Sequence, residues 1–351
     1  MESLRGFQGI QKRDEVREKR NESQSYIALF KRESMPYRIL TILFVLFTAF
    51  FLIRVFQGLL LGLSYPKELY ELSNINLTDA LLGGKTPYRL ANVAPAGVEP
   101  PVCYVYPFLN SFAAAFVSLF TGGDTVLAHY IVSYLAMIGS GLLAGRIVLK
   151  FSRTTIGATL AFLSVMFCHW RYGYTSAAPD GLGILIVLVI LTIAVSERIR
   201  HKALWCALFT VAAFYTKQYF AFVCISVFVY FLITQRKEAW KYFLWCLLIT
   251  VVSFGVTILW WPLFWDYTVP FMLFTSNTSA GNTGTDTGGM RYVFEQLWYL
   301  SQIFAGLYLA GIVAFLLTIR KRQKDGVTYQ PTAALLFALQ IPVQLLVLLY
   351  F

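Results

Sequence analysis

Lys217 and Gln218 interrupt a long apolar stretch, VAAFYTKQYFAF at 211–222, with apolar runs on both sides of them. A lysine at the centre of a membrane helix costs roughly 2.5–3.5 kcal/mol on insertion scales, so a position near the membrane surface is more favourable. There the ammonium group has two possible uses. It can form a charge-assisted hydrogen bond with a phosphate, or it can anchor the helix ends by snorkelling into water.

Carboxylates that could act as general bases stand beside two other apolar runs. Glu68 and Glu71 follow the first run and are three residues apart, hence on one side of any helix formed there. Asp180 opens the run 181–197. A positioned carboxylate can take the proton of an attacking hydroxyl group. Solvated loop acids, and for Asp180 a helix-N-terminal acid favoured by the helix dipole, are the simpler interpretations.

Further residues with binding potential lie between the apolar runs, namely Tyr104, Tyr106, Arg171 and Arg291. The aromatic residues around Arg171 are also typical of the belt that tyrosine and tryptophan form at membrane surfaces. Four of the five cysteines lie in apolar runs, and none has the spacing of a metal site. We therefore predict no metal ligands, no cofactor and no disulfide framework, while dependence on a divalent metal stays open.

The composition is that of a polytopic helical membrane protein. The chain of 351 residues is 58% hydrophobic, with a mean hydropathy of +0.62, well above the apolar share of about 45–50% in soluble domains. The net charge of +11 does not indicate nucleic acid binding, because cytoplasmic loops of membrane proteins accumulate Lys and Arg. The polar residues before the first apolar run are too many for a signal peptide.

The positive charges predict the orientation of the spans. If the run 106–121 crossed the membrane, every later basic cluster would change sides. If it instead lies along the outer surface, 22 Lys and Arg residues are cytoplasmic, six are external and Arg54 is within the first span. The positive-inside rule favours this second arrangement. We therefore predict a cytoplasmic N-terminus and an interfacial helix at 106–121, in the cell membrane.

The fold class predicted is an all-α polytopic membrane protein with about nine transmembrane helices plus this interfacial, juxtamembrane helix. A basic cytoplasmic tail, 1–37, precedes the transmembrane domain, 38–351, which has external loops at 64–124 and 266–293. The last run reaches residue 351 without a tail, a pattern also compatible with further spans. The predicted spans are 39–63, 125–149, 154–170, 181–197, 203–217, 218–235, 242–265, 294–319 and 331–351.

This topology collects carboxylates, cations and aromatic residues from four loops on the external face, while the spans are nearly free of ionisable groups. Such a face suits transfer of a sugar from a polyprenyl phosphate whose lipid tail stays in the bilayer. The departing phosphate is a stable anion that needs cationic stabilisation, and the acceptor hydroxyl needs one carboxylate base. A flippase or transporter of lipid-linked sugars, or a non-catalytic membrane scaffold, are the alternatives. A transporter would more often carry acids within the spans.

Four segments resemble the integral-membrane glycosyltransferases of the GT-C fold, in particular the bacterial branch related to aminoarabinose transferases and protein mannosyltransferases. ELYELSNINLTDALLGGKTPY is similar to the family's acidic first-loop stretch, and YPFLNSF to its Y-P-P-L-Y segment. AAPDG resembles its R-P-D helix start, and YTKQYF its T-K-Q hairpin. The sequence departs from these patterns at Phe108, Asn110 and Ala178.

The resemblance implies a GT-C-like fold, a lipid-linked sugar donor and a lipid, glycan or protein acceptor. It points to Glu71 as the catalytic base, with Glu68 as the alternative, and the spacing of thirteen residues from Glu71 to Gly84 favours Glu71. It makes Lys217 a ligand of the donor phosphate or sugar. We expect Arg171 or Arg291 to share that charge, and Gln218 or Asp180 to contact sugar hydroxyls. Tyr104 and Tyr106 complete the predicted substrate-binding set.

Overall fold

The computed structural model describes residues 26–62, 69–84, 88, 106–152, 154–171, 176–196 and 198–268. Within these ranges the chain is helical and contains no strand, as the sequence predicts. In chain order the helices are α1 (Tyr26–Arg32), α2 (Met35–Gly62), α3 (Leu69–Leu82), α4 (Leu109–Ser118), α5 (Thr125–Ser152), α6 (Thr155–Arg171), α7 (Asp180–Ala194), α8 (Lys202–Thr216), α9 (Val223–Thr234), α10 (Arg236–Trp260) and α11 (Phe264–Thr268), with a 3₁₀ segment at Gln218–Phe222 between α8 and α9.

Three of these helices contain a stretch long and apolar enough to cross a membrane: Met35–Gln57, Thr125–Leu149 and Arg236–Trp260. Five shorter apolar segments of 10–17 residues accompany them in the described part of the chain, at Leu109–Ser118, Thr155–Trp170, Asp180–Ala194, Lys202–Thr216 and Gln218–Thr234. Within the described residues, the structure therefore confirms the prediction of an all-helical chain with helices that are long and apolar enough to cross a membrane. The total of nine spans stays a prediction, and the runs 294–319 and 331–351 lie outside the described residues.

Specific contacts fix the direction in which the helices run. Helices α5 and α6 are antiparallel and closely packed, because Gly145 faces the backbone of Ala158 and Gly141 faces the ring of Phe162. Small residues at such positions let two membrane helices approach each other closely. Helices α8 and α10 run parallel, because one hydroxyl pair joins the middle of α8 to the start of α10 (Thr210–Tyr242, 2.8 Å) and another joins the two helices near their ends (Tyr215–Thr257, 3.1 Å).

The alternation of helices gives the bundle two chemically different ends. The start of α7 and the end of α8 meet at the first end, which we call the site end because it holds Asp180 and Lys217. The opposite end carries the basic residues that begin α10, Arg236 and Lys237, and those that precede or begin α8, Arg198, Arg200 and Lys202. This separation agrees with the charge distribution expected from the sequence. Which end faces the cytoplasm stays a prediction.

Helix α4 occupies part of the run that was expected to lie along the membrane surface. It has ten residues, which corresponds to a length of about 15 Å, against roughly 30 Å for the hydrocarbon core of a bilayer. Asn110 and Ser111 are buried against the protein, whereas Phe112 and Phe116 are exposed. One polar, protein-facing side and one aromatic outer side suit an interfacial helix, although its position relative to a membrane stays a prediction.

Helix α3 forms in the first loop because LYELSNINLTDALL contains neither glycine nor proline until the sequence GGK. The helix ends at Leu82, and Gly84 has a positive φ of 64°. Glycine adopts this left-handed conformation without the cost that a Cβ atom would impose, and it commonly ends helices in this way. The break that the GGKTPY sequence predicts is therefore present, and α3 carries Glu71 in its first turn.

Candidate functional site

Lys217 and Asp180 form an ion pair at the site end of the bundle. The Lys217 Nζ atom lies 2.9 Å from Asp180 Oδ1 and 3.0 Å from Oδ2. Both side chains are largely buried, with 12% and 11% of their surfaces exposed. The two residues that the sequence assigns separately to substrate binding are thus direct partners, and the charge of Lys217 is neutralised within the pair.

Two tyrosine rings complete the surroundings of the Lys217 ammonium group. Its Nζ atom lies 4.7 Å from the ring centre of Tyr106 and 4.7 Å from that of Tyr219. Both distances are within the range of a cation–π interaction, which is stronger where water is excluded. The Tyr219 hydroxyl also donates a hydrogen bond to Asp180 Oδ1. Tyr219 therefore contacts both members of the ion pair.

The backbone between α8 and α9 explains why Lys217 points at Asp180. Helix α8 ends at Thr216, Lys217 is extended (φ −158°, ψ 133°), and the 3₁₀ segment begins at Gln218. The turn predicted between the spans 203–217 and 218–235 therefore consists of one extended residue followed by a short 3₁₀ segment. The Gln218 side chain is buried and its Nε2 donates to the carbonyl of Thr268 at 2.7 Å. This bond ties the turn to α11, so Gln218 has a structural partner.

Gly183 in the first turn of α7 makes room for the 3₁₀ segment. A Cβ atom at this position would lie 2.0 Å from Cε2 of Phe220, a distance at which the ring must move. We expect Gly183→Ala to lower the free energy of unfolding by about 1–3 kcal/mol, the usual cost of overpacking. Chemical denaturation in detergent measures this change.

Gly255→Ala is the matched control for that substitution, because no atom lies within 4 Å of a Cβ placed there. Within helix α10 this change should be neutral or should stabilise by up to about 1 kcal/mol. If the two variants had equal free energies of unfolding, the contact between α7 and Phe220 would not be tightly packed.

His169 interacts with the ion pair, although no sequence pattern predicts this. It is buried near the end of α6, and its Nδ1 atom lies 2.9 Å from the carbonyl oxygen of Val165. The imidazole is close enough to Asp180 for an electrostatic interaction. Its only sequence signal was its position beside the aromatic cluster at Trp170, and that cluster was interpreted as a membrane belt.

A buried polar network joins α3 and α4 to the loop that precedes Asp180. Asn74 Nδ2 donates to the carbonyl of Ala177 at 3.1 Å, and Ser111 Oγ donates to the carbonyl of Asn74 at 3.1 Å. Tyr88, which follows α3, donates its hydroxyl to the carbonyl of Tyr106 at 2.9 Å. These contacts hold the first-loop helix, the Tyr106 segment and the start of α7 together.

The other candidate residues are described less fully. Glu71 lies in α3, one helical turn before Asn74, and Arg171 is the last residue of α6; the side chains of both lie outside the described part of the structure. Glu68, Tyr104 and Arg291 lie wholly outside the described residues. Of the nine candidates the structure therefore brings together Lys217, Asp180 and Tyr106, and it places Gln218 next to them.

Among the described residues, no group of three or more His, Cys, Asp or Glu side chains is arranged to hold a metal ion. The chemical groups at the site end are instead a carboxylate, an ammonium group, phenol hydroxyls and amides. These groups can bind a polar ligand by hydrogen bonds and charge. No protein-family model, no curated protein and no solved structure matches this chain.

Proposed function

We propose that the chain is a membrane glycosyltransferase of the GT-C type. It moves a sugar from a polyprenyl-phosphate donor to a lipid, glycan or protein acceptor on the outer face of the cell membrane. One observation carries this proposal. The four segments that resemble the family are far apart in sequence, yet they converge at one end of the bundle through the Lys217–Asp180 pair, the Lys217–Tyr106 contact and the Asn74–Ala177 hydrogen bond.

The proposed reaction has one nucleophile, one base and one leaving group. The acceptor hydroxyl oxygen attacks the anomeric carbon of the donor sugar, and its proton passes to the carboxylate of Glu71. The bond between the anomeric carbon and the phosphate oxygen breaks, and the polyprenyl phosphate leaves with the electron pair. A nearby cation stabilises the charge that develops on that oxygen. In this proposal Lys217 is that cation.

The ion pair refines the expected role of Lys217. An ammonium group has three N–H donors, and the two Asp180 oxygens engage it in the structure. A donor phosphate would therefore compete with Asp180 for Lys217 or use the remaining donor. Asp180 and the Tyr106 and Tyr219 rings would hold the ammonium group in place, which reduces the ordering cost of binding.

The proposal can be tested with a photoactivatable polyprenyl-phosphate sugar in membranes that contain the purified chain. We expect cross-links to peptides around 69–84, 176–183 and 216–222, and transfer of the labelled sugar to an endogenous lipid, glycan or protein fraction. Labelling only along the outer surface of α2 or α10, together with no transfer, would contradict the proposal. Movement of the intact labelled donor across the membrane without transfer would instead favour the transporter alternative.

A further inference from the structure

His129 is a fully buried imidazole in the second turn of α5, close to the site end of the bundle. Its Nε2 atom lies 2.8 Å from the Thr78 hydroxyl of α3, and its Nδ1 atom lies 3.3 Å from the Asn110 amide nitrogen of α4. The imidazole thus bridges three helices. This role is not predictable from the sequence, because both partners lie far from His129 along the chain.

The surrounding hydrogen bonds define the tautomer of His129. The Thr78 hydroxyl has one proton and donates it to the Asn74 carbonyl at 3.0 Å, so its oxygen accepts from Nε2–H of the imidazole. The Asn110 amide then donates to the unprotonated Nδ1 atom. His129 therefore acts as a neutral donor and acceptor, and both ring nitrogens are satisfied without a charged partner.

This bridge is located where it can control the geometry of the proposed site. Asn74 and Thr78 are three and seven residues after Glu71, and positions at this spacing lie along one stripe of a helix. The same Asn74 bonds to Ala177, three residues before Asp180. His129 is thus connected through Thr78 and Asn74 to both the helix that carries Glu71 and the loop that carries Asp180.

We propose that His129 is a positioning residue, which fixes α3 against α5 and thereby sets the position of the Glu71 helix relative to Asp180 and Lys217. The catalytic part of this inference rests on the proposed glycosyltransferase function; the anchoring part does not. Loss of the imidazole leaves the Thr78 oxygen without its donor and the Asn110 amide nitrogen without its acceptor, which favours separation of the helices that bear them.

The test compares His129→Leu with His129→Gln, whose side-chain amide can replace the Nε2–H donor. Ser140→Ala is the control, because Ser140 is buried on the same helix and its hydroxyl has no hydrogen-bond partner among the described residues. We expect hydrogen exchange of the amides in 74–82 to accelerate about 10- to 100-fold in His129→Leu, the scale of lost buried hydrogen bonds. His129→Gln and Ser140→Ala should stay close to the wild-type rate.

Transfer kinetics supply the second measurement. We expect kcat of His129→Leu to fall about 10- to 100-fold with a nearly unchanged donor KM, because misplacing a catalytic group lowers the rate more than donor binding. His129→Gln should recover most of this loss. Faster exchange with an unchanged kcat would overturn the positioning role, and unchanged exchange would overturn the anchoring itself. If the wild-type chain showed no transfer activity, the proposed function would be wrong. The hydrogen-exchange rates would still test whether His129 anchors α3 to α5.

Discussion

Lys217→Met is expected to lower the transfer rate per folded molecule about ten- to a hundred-fold, because the methionine keeps the apolar stem and removes the cation. A charge-assisted hydrogen bond to a phosphate contributes about 1.5–3 kcal/mol. That contribution grows as negative charge moves onto the leaving oxygen, so its loss should reduce kcat more than it weakens donor binding. The measurement is the initial rate of sugar transfer, normalised to folded protein.

The ion pair complicates this experiment in a predictable way. Removing Lys217 leaves the largely buried Asp180 carboxylate without its counter-charge, and breaking a buried pair in this manner costs about 3–5 kcal/mol of stability. The double variant Lys217→Met/Asp180→Asn removes both charges and should recover much of that stability. It should not recover the rate, because the phosphate still lacks its cation.

Lys241→Met provides a surface control. Lys241 also forms an ion pair, with Glu238 at 2.8 Å, but 62% of its side chain is exposed. Such pairs contribute about 0.2–1 kcal/mol, so neither stability nor turnover should change much. If the normalised rate of Lys217→Met equalled that of Lys241→Met, Lys217 would only pair with Asp180 at the membrane surface, and the donor phosphate would be bound elsewhere.

The sequence allowed the helical class and the approximate positions of the described helices to be predicted, because apolar runs are long and polar residues interrupt them. The helix ends are less exact, since α10 begins at Arg236 and not at 242. Lys217 and Asp180 are expected at the same end of the bundle, because consecutive spans run in opposite directions. The start of one span and the end of the next therefore lie on the same side. Their direct pairing was not predictable. It depends on the rotation of α7 and α8 about their axes and on the extended conformation of Lys217, and neither is encoded in hydropathy.

The contacts of Tyr219 and His129 were not predictable from the sequence either. The sequence places Tyr219 within the predicted apolar span 218–235. In the structure, the 3₁₀ segment directs its hydroxyl towards Asp180. His129 was one polar residue in the span 125–149, and only the folded packing of α3 and α4 against α5 supplies its two hydrogen-bond partners. Single polar residues in membrane helices therefore mark positions of interest in a sequence, but their partners emerge only from helix packing.

Glu71→Gln is expected to reduce turnover by about 10²-fold or more, the usual scale for loss of a general base. The amide has nearly the shape of the carboxylate, but it cannot accept the acceptor hydroxyl's proton. The family resemblance favours Glu71 over Glu68. Glu71 lies within α3, on the same helical stripe as Asn74 and Thr78, which the network around His129 holds in place.

Glu68→Gln is the matched control, since it makes the same chemical change three residues earlier in the sequence. Both variants should keep wild-type thermal stability and donor cross-linking, because a glutamine neither introduces a buried charge nor changes side-chain volume. Single-turnover measurements with the polyprenyl-phosphate donor then separate chemistry from product release, and only Glu71→Gln should slow the chemical step. Near-normal transfer by Glu71→Gln together with an inactive Glu68→Gln would identify Glu68 as the base instead. Normal transfer by both variants would mean that neither first-loop carboxylate accepts the proton.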